Sequence, residues 1–435
     1  MKVAVYTLGC KVNQYESEAL TELLEKEGVS VCSSGADACI INTCAVTAES
    51  ERKARQTVRR AVKENPGAYV LVTGCAVQID GDRFAGIPGV HYVSGSRRKT
   101  ELVAHILKLR DEGIMTTGAN VCDPALCPYE EMTVSGSGRT RAYMKVEDGC
   151  GNRCAYCVIP RARGPVVSRP VDACVGEARR LAEAGYREIV LTGIEIASYG
   201  EDLDGVNLCD LVEALEEVKG LERVRLSSVD PSFFRPEICR RLGKCGKLAH
   251  HFHLSLQSGC DRTLAAMRRK YSTALAKRNI GALRAVFPDV RFTADVIVGF
   301  PGEREEDFEE TLAFMDLPGF LHVHVFAYSP RPLTEAAGMP DQVPEETKRT
   351  RSARLIARCA ENEQKTLSEE VGRTVFVLFE NGKAGYQTGH TGNFIEVRVR
   401  TKEDLCGRIL PVRVTGAQKE WVEGTLLSGE GETGK

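Results

Sequence analysis

The sequence carries almost no net charge and contains no long apolar run. Its 58 Lys and Arg residues nearly balance its 60 Asp and Glu residues, which gives a formal net charge of −2. Such a balance does not indicate general nucleic-acid binding, so any contact of this kind must come from local basic patches. No apolar stretch approaches the length of a membrane span, and the first residues are typical of a strand rather than a signal peptide. We therefore expect a cytoplasmic protein with no membrane partner.

Cysteine, by contrast, is abundant, with 17 in a chain of 435 residues. Because no export signal is evident, this number favours a reducing compartment and metal sites over a disulfide framework. With 43% hydrophobic and 27% charged residues, the composition is that of a globular protein. The length predicts two to four domains.

Three of the cysteines, Cys150, Cys154 and Cys157, lie in one short segment at spacings of four and three residues, with Tyr156 just before the last. An iron–sulfur cluster normally takes four thiolates, so three would leave one iron open to a substrate. The alternatives are a zinc knuckle and ordinary buried cysteines. A zinc site would need a fourth Cys or His nearby, and none follows within the loop. The spacing resembles that of radical S-adenosylmethionine (SAM) enzymes, which implies a 4Fe-4S cluster whose free iron takes the amino and carboxylate groups of SAM.

Residues 1–117 are predicted to form a first domain, because apolar strands alternate there with helices. Candidate strands are 2–8, 38–42 and 69–73, and such alternation predicts a parallel sheet. Ligands gather at the carboxyl ends of the strands in such sheets.

Cys10, Cys44 and Cys75 each come just after one of these strands. We therefore expect the three to converge on one edge of the sheet and to hold a second iron–sulfur cluster. The alternative is that they are small core residues, as cysteine commonly is. Cys32 and Cys39 do not follow this pattern, and we interpret them as structural.

The motifs around these cysteines resemble the amino-terminal domain of the methylthiotransferases. They are Leu8-Gly9-Cys10-Lys11-Val12-Asn13-Gln14-Tyr15-Glu16-Ser17, Asn42-Thr43-Cys44-Ala45-Val46-Thr47 and Thr73-Gly74-Cys75. The resemblance implies that the three cysteines bind an auxiliary 4Fe-4S cluster. The Lys-Val-Asn-Gln motif is similar to the corresponding motif of the subgroup that acts on threonylcarbamoyladenosine (t6A) in tRNA. The subgroup acting on isopentenyladenosine usually has Gln-Met-Asn, and the subgroup acting on a ribosomal protein usually has Pro-Lys-Asn.

Residues 118–138 have little periodic pattern and are predicted to be a flexible linker. Cys122 and Cys127 fall within it, and we assign them no metal because no second ligand pair follows. Residues 139–344 again alternate strands and helices, which predicts an incomplete (β/α)6 barrel. The candidate strands are 142–146, 188–191, 223–226, 252–256, 293–298 and 322–326.

Polar and glycine residues follow the predicted barrel strands, at the end where barrel active sites lie. The segments Gln257-Ser258-Gly259 and Gly299-Phe300-Pro301-Gly302-Glu303 resemble the family's SAM-contacting motifs. The resemblance implies cofactor contacts from Gly193, Glu195, Ser255, Gln257 and Gly299. Ordinary turn chemistry is the alternative for each of them. Asp230 replaces the glutamate of the family's Ser-x-Glu-Pro motif, which leaves its role open.

Basic residues and histidines are the remaining candidates for binding. Arg161 and Arg163 directly follow the three-cysteine segment, where a polyanion entering the barrel would pass, and we expect both to contact RNA. The alternative is a solvated helix face. The histidines near two of the strands are explained by packing and solvent exposure, so we assign them no metal; they are His250, His251, His253, His322 and His324.

Residues 345–370 are predicted to be a connecting helix, and residues 371–430 a small β-barrel. Apolar and polar residues alternate strictly from Phe394 to Arg400, as a half-buried strand requires. The segment resembles the TRAM domain, a small RNA-binding barrel. We expect Arg398, Arg400, Arg408 and Arg413 to face phosphates, although a purely structural barrel is the alternative. The single tryptophan, Trp421, is assigned to the core.

The whole pattern predicts an α/β protein of three domains that resembles the tRNA methylthiotransferases. The resemblance implies two 4Fe-4S clusters, SAM, a reducing electron donor and an undetermined sulfur donor. It also implies that a SAM-derived radical removes hydrogen from carbon 2 of an adenine, where sulfur and then a methyl group are added. We expect the t6A beside the anticodon to be the substrate. The alternatives are isopentenyladenosine in tRNA, a ribosomal protein, or a non-catalytic RNA-binding iron–sulfur protein.

Overall fold

The computed structural model describes residues 1–136, 138–317, 319–383 and 385–427. Ser137 of the predicted linker and residues 428–430 of the predicted last domain lie outside the described residues. The order of the three expected units is confirmed: a parallel sheet, a partial barrel and a small closed barrel.

The first unit is a six-stranded sheet in which all neighbouring strands run parallel. Its strands are β1 (Lys2–Thr7), β2 (Ser30–Val31), β3 (Ala38–Thr43), β4 (Tyr69–Gly74), β5 (Tyr92–Ser94) and β6 (Gly118–Asn120), in the spatial order β2-β1-β3-β4-β5-β6. The three predicted strands correspond to β1, β3 and β4. Strands β3 and β4 are buried along their whole length. Burial on both faces is what a sheet covered by helices on each side requires.

Five helices cover this sheet. They are α1 (Lys11–Lys26), α2 (Ala48–Glu64), α3 (Cys75–Ile79), α4 (Gly81–Ala85) and α5 (Glu101–Glu112). Apolar residues of α1 and α5 pack in the core on one face, and residues of α2, α3 and α4 pack in the core on the other.

The predicted boundary between domain and linker is wrong. Residues Gly118–Asn120 form β6, which pairs with β5 at the edge of the sheet, and Met132 and Val134 are buried in the core beside α1. Much of the segment predicted to be a flexible linker therefore belongs to the first unit by packing.

The second unit contains the six predicted strands, all paired in parallel, in two groups that follow one another. The long strands are β7 (Arg141–Lys145), β10 (Glu188–Thr192), β11 (Arg223–Leu226), β13 (His251–Gln257), β14 (Arg291–Val298) and β15 (Phe320–Ala327). Three short strands accompany them: β8 (Glu147–Asp148), β9 (Val167–Ser168) and β12 (Ser228–Val229). The orders are β11-β10-β7 and β12-β13-β14-β15, and a bridge between Val224 and Leu248 joins the groups.

The helices of this unit surround the strands, and one large core fills the space between them. They are α6 (Ile159–Arg163), α7 (Val171–Glu183), α8 (Leu208–Glu216), α9 (Pro236–Leu242), α10 (Asp261–Ala266), α11 (Thr273–Val286) and α12 (Glu305–Phe314). The fold is therefore a partial β/α barrel, as predicted.

A long helix, α13 (Glu345–Ser368), leads to the third unit, a closed five-stranded barrel. Its strands are β16 (Thr374–Lys383), β17 (Tyr386–Thr391), β18 (Glu396–Arg400), β19 (Ile409–Ala417) and β20 (Val422–Leu426). The predicted alternation is confirmed, because Ile395, Val397 and Val399 are buried while the residues between them are not. Among the described residues, no helix combines the length and the apolar character needed to cross a membrane.

Candidate active site

Six cysteines from two different units line one cavity of about 380 Å³. Cys10, Cys44 and Cys75 come from the first unit, and Cys150, Cys154 and Cys157 come from the partial barrel. The expected convergence of sequence-distant cysteines is therefore what the structure shows. A larger cleft of about 520 Å³ separates the partial barrel from the last unit, and none of the described residues that line it is a cysteine.

The first three cysteines follow the carboxyl ends of β1, β3 and β4, which are neighbours in the sheet. Two glycines allow the close approach. A Cβ added to Gly9 would lie 2.8 Å from the Cys44 sulfur, and one added to Gly74 would lie 2.5 Å from the Thr43 carbonyl oxygen. Both glycines have φ near +104°, a conformation that side chains disfavour. The Gly-Cys pairs therefore fit the sharp turns that bring the sulfurs together.

The three-cysteine loop of the barrel is closed at its base. Strands β8 and β9 pair on either side of it, and the Cys150 amide donates to the Gly164 carbonyl at 3.0 Å. Gly149 is needed here, because an added Cβ would lie 1.9 Å from the Pro165 carbonyl oxygen. The loop therefore leaves the barrel in a defined direction, towards the first unit.

Burial raises the pKa of several of these thiols. It raises the pKa of Cys150 and of Cys157 to about 12, and that of Cys44 to about 11. Because metals bind the thiolate, a positively charged metal group is what would stabilise the deprotonated form in this site.

Each cysteine trio has one sulfur within hydrogen-bond reach of an arginine. The Arg163 Nε donates to the Cys75 Sγ at 3.1 Å, and the Arg269 Nη1 donates to the Cys154 Sγ at 3.4 Å. Hydrogen bonds to cluster sulfurs shift the reduction potential of iron–sulfur centres. Nothing in the local sequence signals either contact, because both arginines are distant in sequence from the cysteine they reach.

A buried ionic network lies beneath Cys75 and joins the two units. Glu16 of α1 accepts from Lys99 at 2.6 Å, Lys145 at 3.0 Å and Arg163 at 2.6 Å. Asp148 contacts Lys145 at 2.7 Å and Arg163 at 3.2 Å. Burial alone would raise the pKa of Glu16, but Arg163, Lys99 and Lys145 hold it well below its usual range.

The predicted RNA contact of Arg163 is wrong. Its side chain is 0% exposed and is held by Glu16, Asp148, Asn13 and Cys75. Arg161, two residues earlier, is exposed and lies beside the three-cysteine loop, next to exposed Arg268. The two residues look equivalent in the sequence and differ only through tertiary contacts.

Four of the five residues expected to contact SAM line the cavity: Gly193, Glu195, Ser255 and Gln257. Gln257 has φ +64°, and a register shift separates Leu254 from Gln257 in the pairing of β13 with β14. Strained backbone of this kind is concentrated at functional sites.

The two glycines expected to contact SAM, Gly193 and Gly299, each have a close neighbour that leaves no room for a side chain. A Cβ added to Gly193 would lie 2.4 Å from the Glu147 carboxylate, which accepts from the Ile194 and Glu195 amides at 2.8 and 3.0 Å. Gly299 does not line the cavity, and its added Cβ would lie 2.4 Å from the Lys348 side chain. Gly299 therefore lies against α13 and not at the cavity, where a cofactor contact was expected of it.

Glu195, Asp230 and Arg269 form a charged group at the cavity wall. The Arg269 Nη2 donates to Asp230 at 2.5 Å and to the Ser255 carbonyl at 2.9 Å. The Asp230 amide donates to Glu195 at 3.3 Å. Burial and the nearby Asp230 carboxylate raise the pKa of Glu195 to about 7. Asp230, the residue that departs from the family pattern, is thus paired with a cavity-lining arginine.

Lys11, the first residue of α1, also lines the cavity, and its side chain is exposed there. Although the side chain is exposed to the cavity, the surrounding protein partly desolvates it, and this effect together with the positive charges of Arg141 and Arg225 lowers the pKa of Lys11, against the opposing effect of Asp295.

Two groups of side chains to which the sequence assigns no metal lie close together. His253, Asp295 and His324, on three adjacent strands, have ligand atoms within 4.8 Å of one another, and the His253 Nε2 lies 3.1 Å from Asp295. The sulfurs of Cys122 and Cys127 lie 2.9 Å apart.

On the last unit, Arg400 and Arg413 are exposed, and Arg408 is paired with Glu403 at 2.6 Å. Arg398 pairs with Glu396 at 2.7 Å, and its guanidinium lies 4.4 Å from the Trp421 ring centroid. Trp421 is only partly buried, so its assignment to the core is wrong.

Comparison with known families and proteins agrees with this geometry. Residues 144–315 match the radical SAM superfamily, and residues 2–95 match a family described as "Uncharacterized protein family UPF0004". The threonylcarbamoyladenosine tRNA methylthiotransferase of Bacillus subtilis (strain 168) is 37% identical over 98% of this chain and 96% of its own length. The protein of the same name from Thermotoga maritima is 40% identical over 80% of each chain.

A relative with another substrate in its name is also similar. The tRNA-2-methylthio-N(6)-dimethylallyladenosine synthase of Anaeromyxobacter dehalogenans is 34% identical over 98% of this chain and 94% of its own. Among solved structures, the radical SAM methyltransferase TsrM from Kitasatospora setae has a TM-score of 0.58 at 17% identity, over 77% of this chain and 74% of that one. This structural likeness supports the fold alone.

Proposed function

Because this chain belongs to the radical SAM methylthiotransferase family, we propose that it converts t6A in tRNA to its 2-methylthio derivative. The observation that carries the proposal is the single cavity lined by two cysteine trios from two units. A reaction that inserts sulfur into an unactivated C–H bond needs both a radical source and a sulfur site within reach of one substrate atom. A common cavity provides that arrangement.

The donor set fits the cofactors of such a reaction. Cys150, Cys154 and Cys157 would hold the cluster that binds SAM, and Cys10, Cys44 and Cys75 would hold an auxiliary cluster. When bound, the first cluster supplies the electron for SAM cleavage, which creates the radical needed to remove hydrogen from carbon 2. The chain's own residues bind and orient the reactants and keep water out of the cavity.

The spacing of the sulfurs favours clusters over single ions. Four thiolates around one zinc, with Zn–S bonds of about 2.3 Å, bring the sulfurs to about 3.8 Å from one another. Among the described residues, the one group of three or more ligand side chains whose atoms all lie within 4.8 Å is His253, Asp295 and His324. Neither cysteine trio forms such a group among the described residues, so the sulfurs of each trio are spread more widely than a single zinc ion requires.

Three further points belong to the same proposal. Exposed Arg161 lies beside the three-cysteine loop and would contact tRNA phosphates, with Arg398 and Arg400 on the last unit as further candidates. The reaction also requires a low-potential electron donor and a source of sulfur. A cytoplasmic location would place the protein with tRNA and with reduced thiols.

Nucleoside analysis tests the substrate. Mass spectrometry of tRNA nucleosides from a strain lacking the gene should show loss of 2-methylthio-t6A and a matching gain of t6A. Complementation with the intact gene should restore the product. Persistence of 2-methylthio-t6A together with loss of 2-methylthio-dimethylallyladenosine would assign the enzyme to the other tRNA substrate.

A further inference from the structure

Two cationic side chains line the cavity, Lys11 and Arg269. Arg269 already has partners on both of its terminal nitrogens, because it donates to Asp230, to the Ser255 carbonyl and to the Cys154 sulfur. Its guanidinium also lies 5.2 Å from the Tyr271 ring centroid. Lys11 is thus the cation of the cavity wall that remains for a ligand.

Within the described part of the chain, Lys11 has neither an ion pair nor a side-chain hydrogen bond. The charged groups that face it are Arg141, Arg225, Asp295 and Cys10. Each of the first three is already paired: Arg141 with Glu380 at 3.2 Å, Arg225 with Glu188 at 2.7 Å, and Asp295 with His253 at 3.1 Å.

The result is an exposed lysine at the cavity wall that lies in the electrostatic field of two arginines. An unpaired cation in a positive surrounding favours an anionic ligand. Asp295 opposes this effect. However, Asp295 pairs with His253 at 3.1 Å and forms no ion pair with Lys11. The site therefore favours a ligand that carries a negatively charged group next to Lys11.

We propose that Lys11 binds the carboxylate of the threonyl group of t6A and so selects this nucleoside over N6-dimethylallyladenosine. The inference rests on the proposed function. The two nucleosides share the adenine ring and carbon 2, and differ in that only the threonylcarbamoyl substituent carries a carboxylate. Lys11 also directly follows Cys10, and both residues line the cavity that holds the auxiliary trio. Carbon 6, which carries the N6 substituent, and carbon 2 flank N1 in the same six-membered ring, so both the reacting atom and the substituent belong to one edge of the base.

The test uses the reconstituted full-length enzyme and two synthetic anticodon stem-loop RNAs, one with t6A and one with the threonyl carboxylate blocked as its methyl ester. The readout is the ratio of kcat/KM for methylthiolation of the acid RNA to that of the ester RNA. Wild-type enzyme should prefer the acid, and Lys11→Gln should lower this ratio about 10- to 100-fold, as loss of a charged hydrogen bond does. Lys11→Arg, which keeps the charge, should retain a higher ratio than Lys11→Gln.

Lys26→Gln is the matched control, because Lys26 lies on the same helix with its side chain 60% exposed. It removes the same charge and should keep the wild-type ratio. A wild-type enzyme that modifies both RNAs equally would overturn the role of Lys11 and leave the proposed function standing. An equal loss on both RNAs in Lys11→Gln would also overturn it, since that is the mark of a structural role. Failure of the wild-type enzyme to modify either RNA, while it still cleaves SAM, would overturn the proposed function itself.

Discussion

At the scale of single residues, buried arginines complete the cysteine sites. Arg163 donates to the Cys75 sulfur and simultaneously pairs with Glu16 and Asp148. The buried network holds four cations, Arg97, Lys99, Lys145 and Arg163, against two carboxylates. This excess of positive charge lies beneath a site that would carry three thiolates, so it complements the charge of an anionic cluster.

Replacement of Arg163 by Ala should therefore damage both folding and the auxiliary site. We expect the free energy of unfolding to fall by about 3 kcal/mol, since a partner of a buried ion-pair network is lost. Iron content after reconstitution should fall from about eight towards about four atoms per chain, on the basis of two four-iron clusters. Urea unfolding and iron analysis measure the two effects.

Arg161→Ala provides the control, because Arg161 is exposed two residues away. It should leave stability and iron content unchanged while weakening tRNA binding and reducing its salt dependence by about one unit of slope. Equal stability losses in the two variants would contradict the assigned difference in burial.

The cysteine positions were predictable, whereas the role of Arg163 was not. Cys10, Cys44 and Cys75 follow apolar strands of one parallel sheet, and this topology alone brings their ends together. Arg163 is buried because Glu16, far away in the sequence, reaches it from the other unit. A basic residue beside a loop is typical of a surface, and only the tertiary contact reverses that expectation.

At the scale of secondary-structure elements, the turn between β17 and β18 fixes the small barrel to the underside of the partial barrel. Arg225 donates to the Thr391 and Gly392 carbonyls at 3.2 and 3.1 Å. Phe394, in the same turn, stacks on His251 with ring centroids 4.6 Å apart. Glu188 holds Arg225 in place at 2.7 Å.

Glu188→Gln should loosen this attachment. Burial would raise the pKa of Glu188, but Arg225 and Arg223 outweigh it and lower the pKa to about 2. A depressed carboxyl pKa adds stability above the unfolded value near 4.5, and that stability is lost as pH falls towards 2. The difference between wild type and variant should therefore be about 3 kcal/mol at neutral pH and shrink below pH 4.5.

Trp421 is the only tryptophan and lies in the small barrel, so its fluorescence reports the unfolding of this unit. Urea titrations of wild type and Glu188→Gln at pH 7 and pH 3 give the two differences. A difference that stays constant between these pH values would show that the charge of Glu188 does not hold the contact.

Apolar strands were predictable, and polar strands were not. Strands β3 and β4 are continuous apolar segments, and the sequence predicts them directly. By contrast, β6 consists of Gly-Ala-Asn, and β17 has the sequence Tyr-Gln-Thr-Gly-His-Thr, which lacks alternation. Both strands form because neighbouring strands offer unpaired backbone groups. Their own sequence carries no sign of that pairing, so they could not be predicted from it.

At the scale of the whole molecule, the two cysteine trios are held in a fixed relation by contacts between units. Two residues that follow the barrel's cysteine loop, Val158 just before α6 and Ala162 within it, belong to the core of the first unit. The Arg97 side chain donates to the Arg163 carbonyl at 2.8 Å, and Ser96 donates to the Ala162 carbonyl at 2.5 Å. The cavity is therefore a property of the assembled chain, and neither unit contains it alone.

The division of labour between the two trios follows from this arrangement. Cys150 belongs to the trio that would bind SAM, and Cys75 belongs to the trio that would deliver sulfur. Both line the same cavity from opposite units. Loss of either trio should therefore stop methylthiolation. Only loss of the trio that contains Cys150 should also stop SAM cleavage.

The most direct measurement is reductive SAM cleavage, followed as release of 5′-deoxyadenosine, in Cys150→Ala and Cys75→Ala after anaerobic reconstitution with tRNA present. We predict no 5′-deoxyadenosine from Cys150→Ala, and continued release without methylthio product from Cys75→Ala. Equal loss of SAM cleavage in two folded variants would contradict the account.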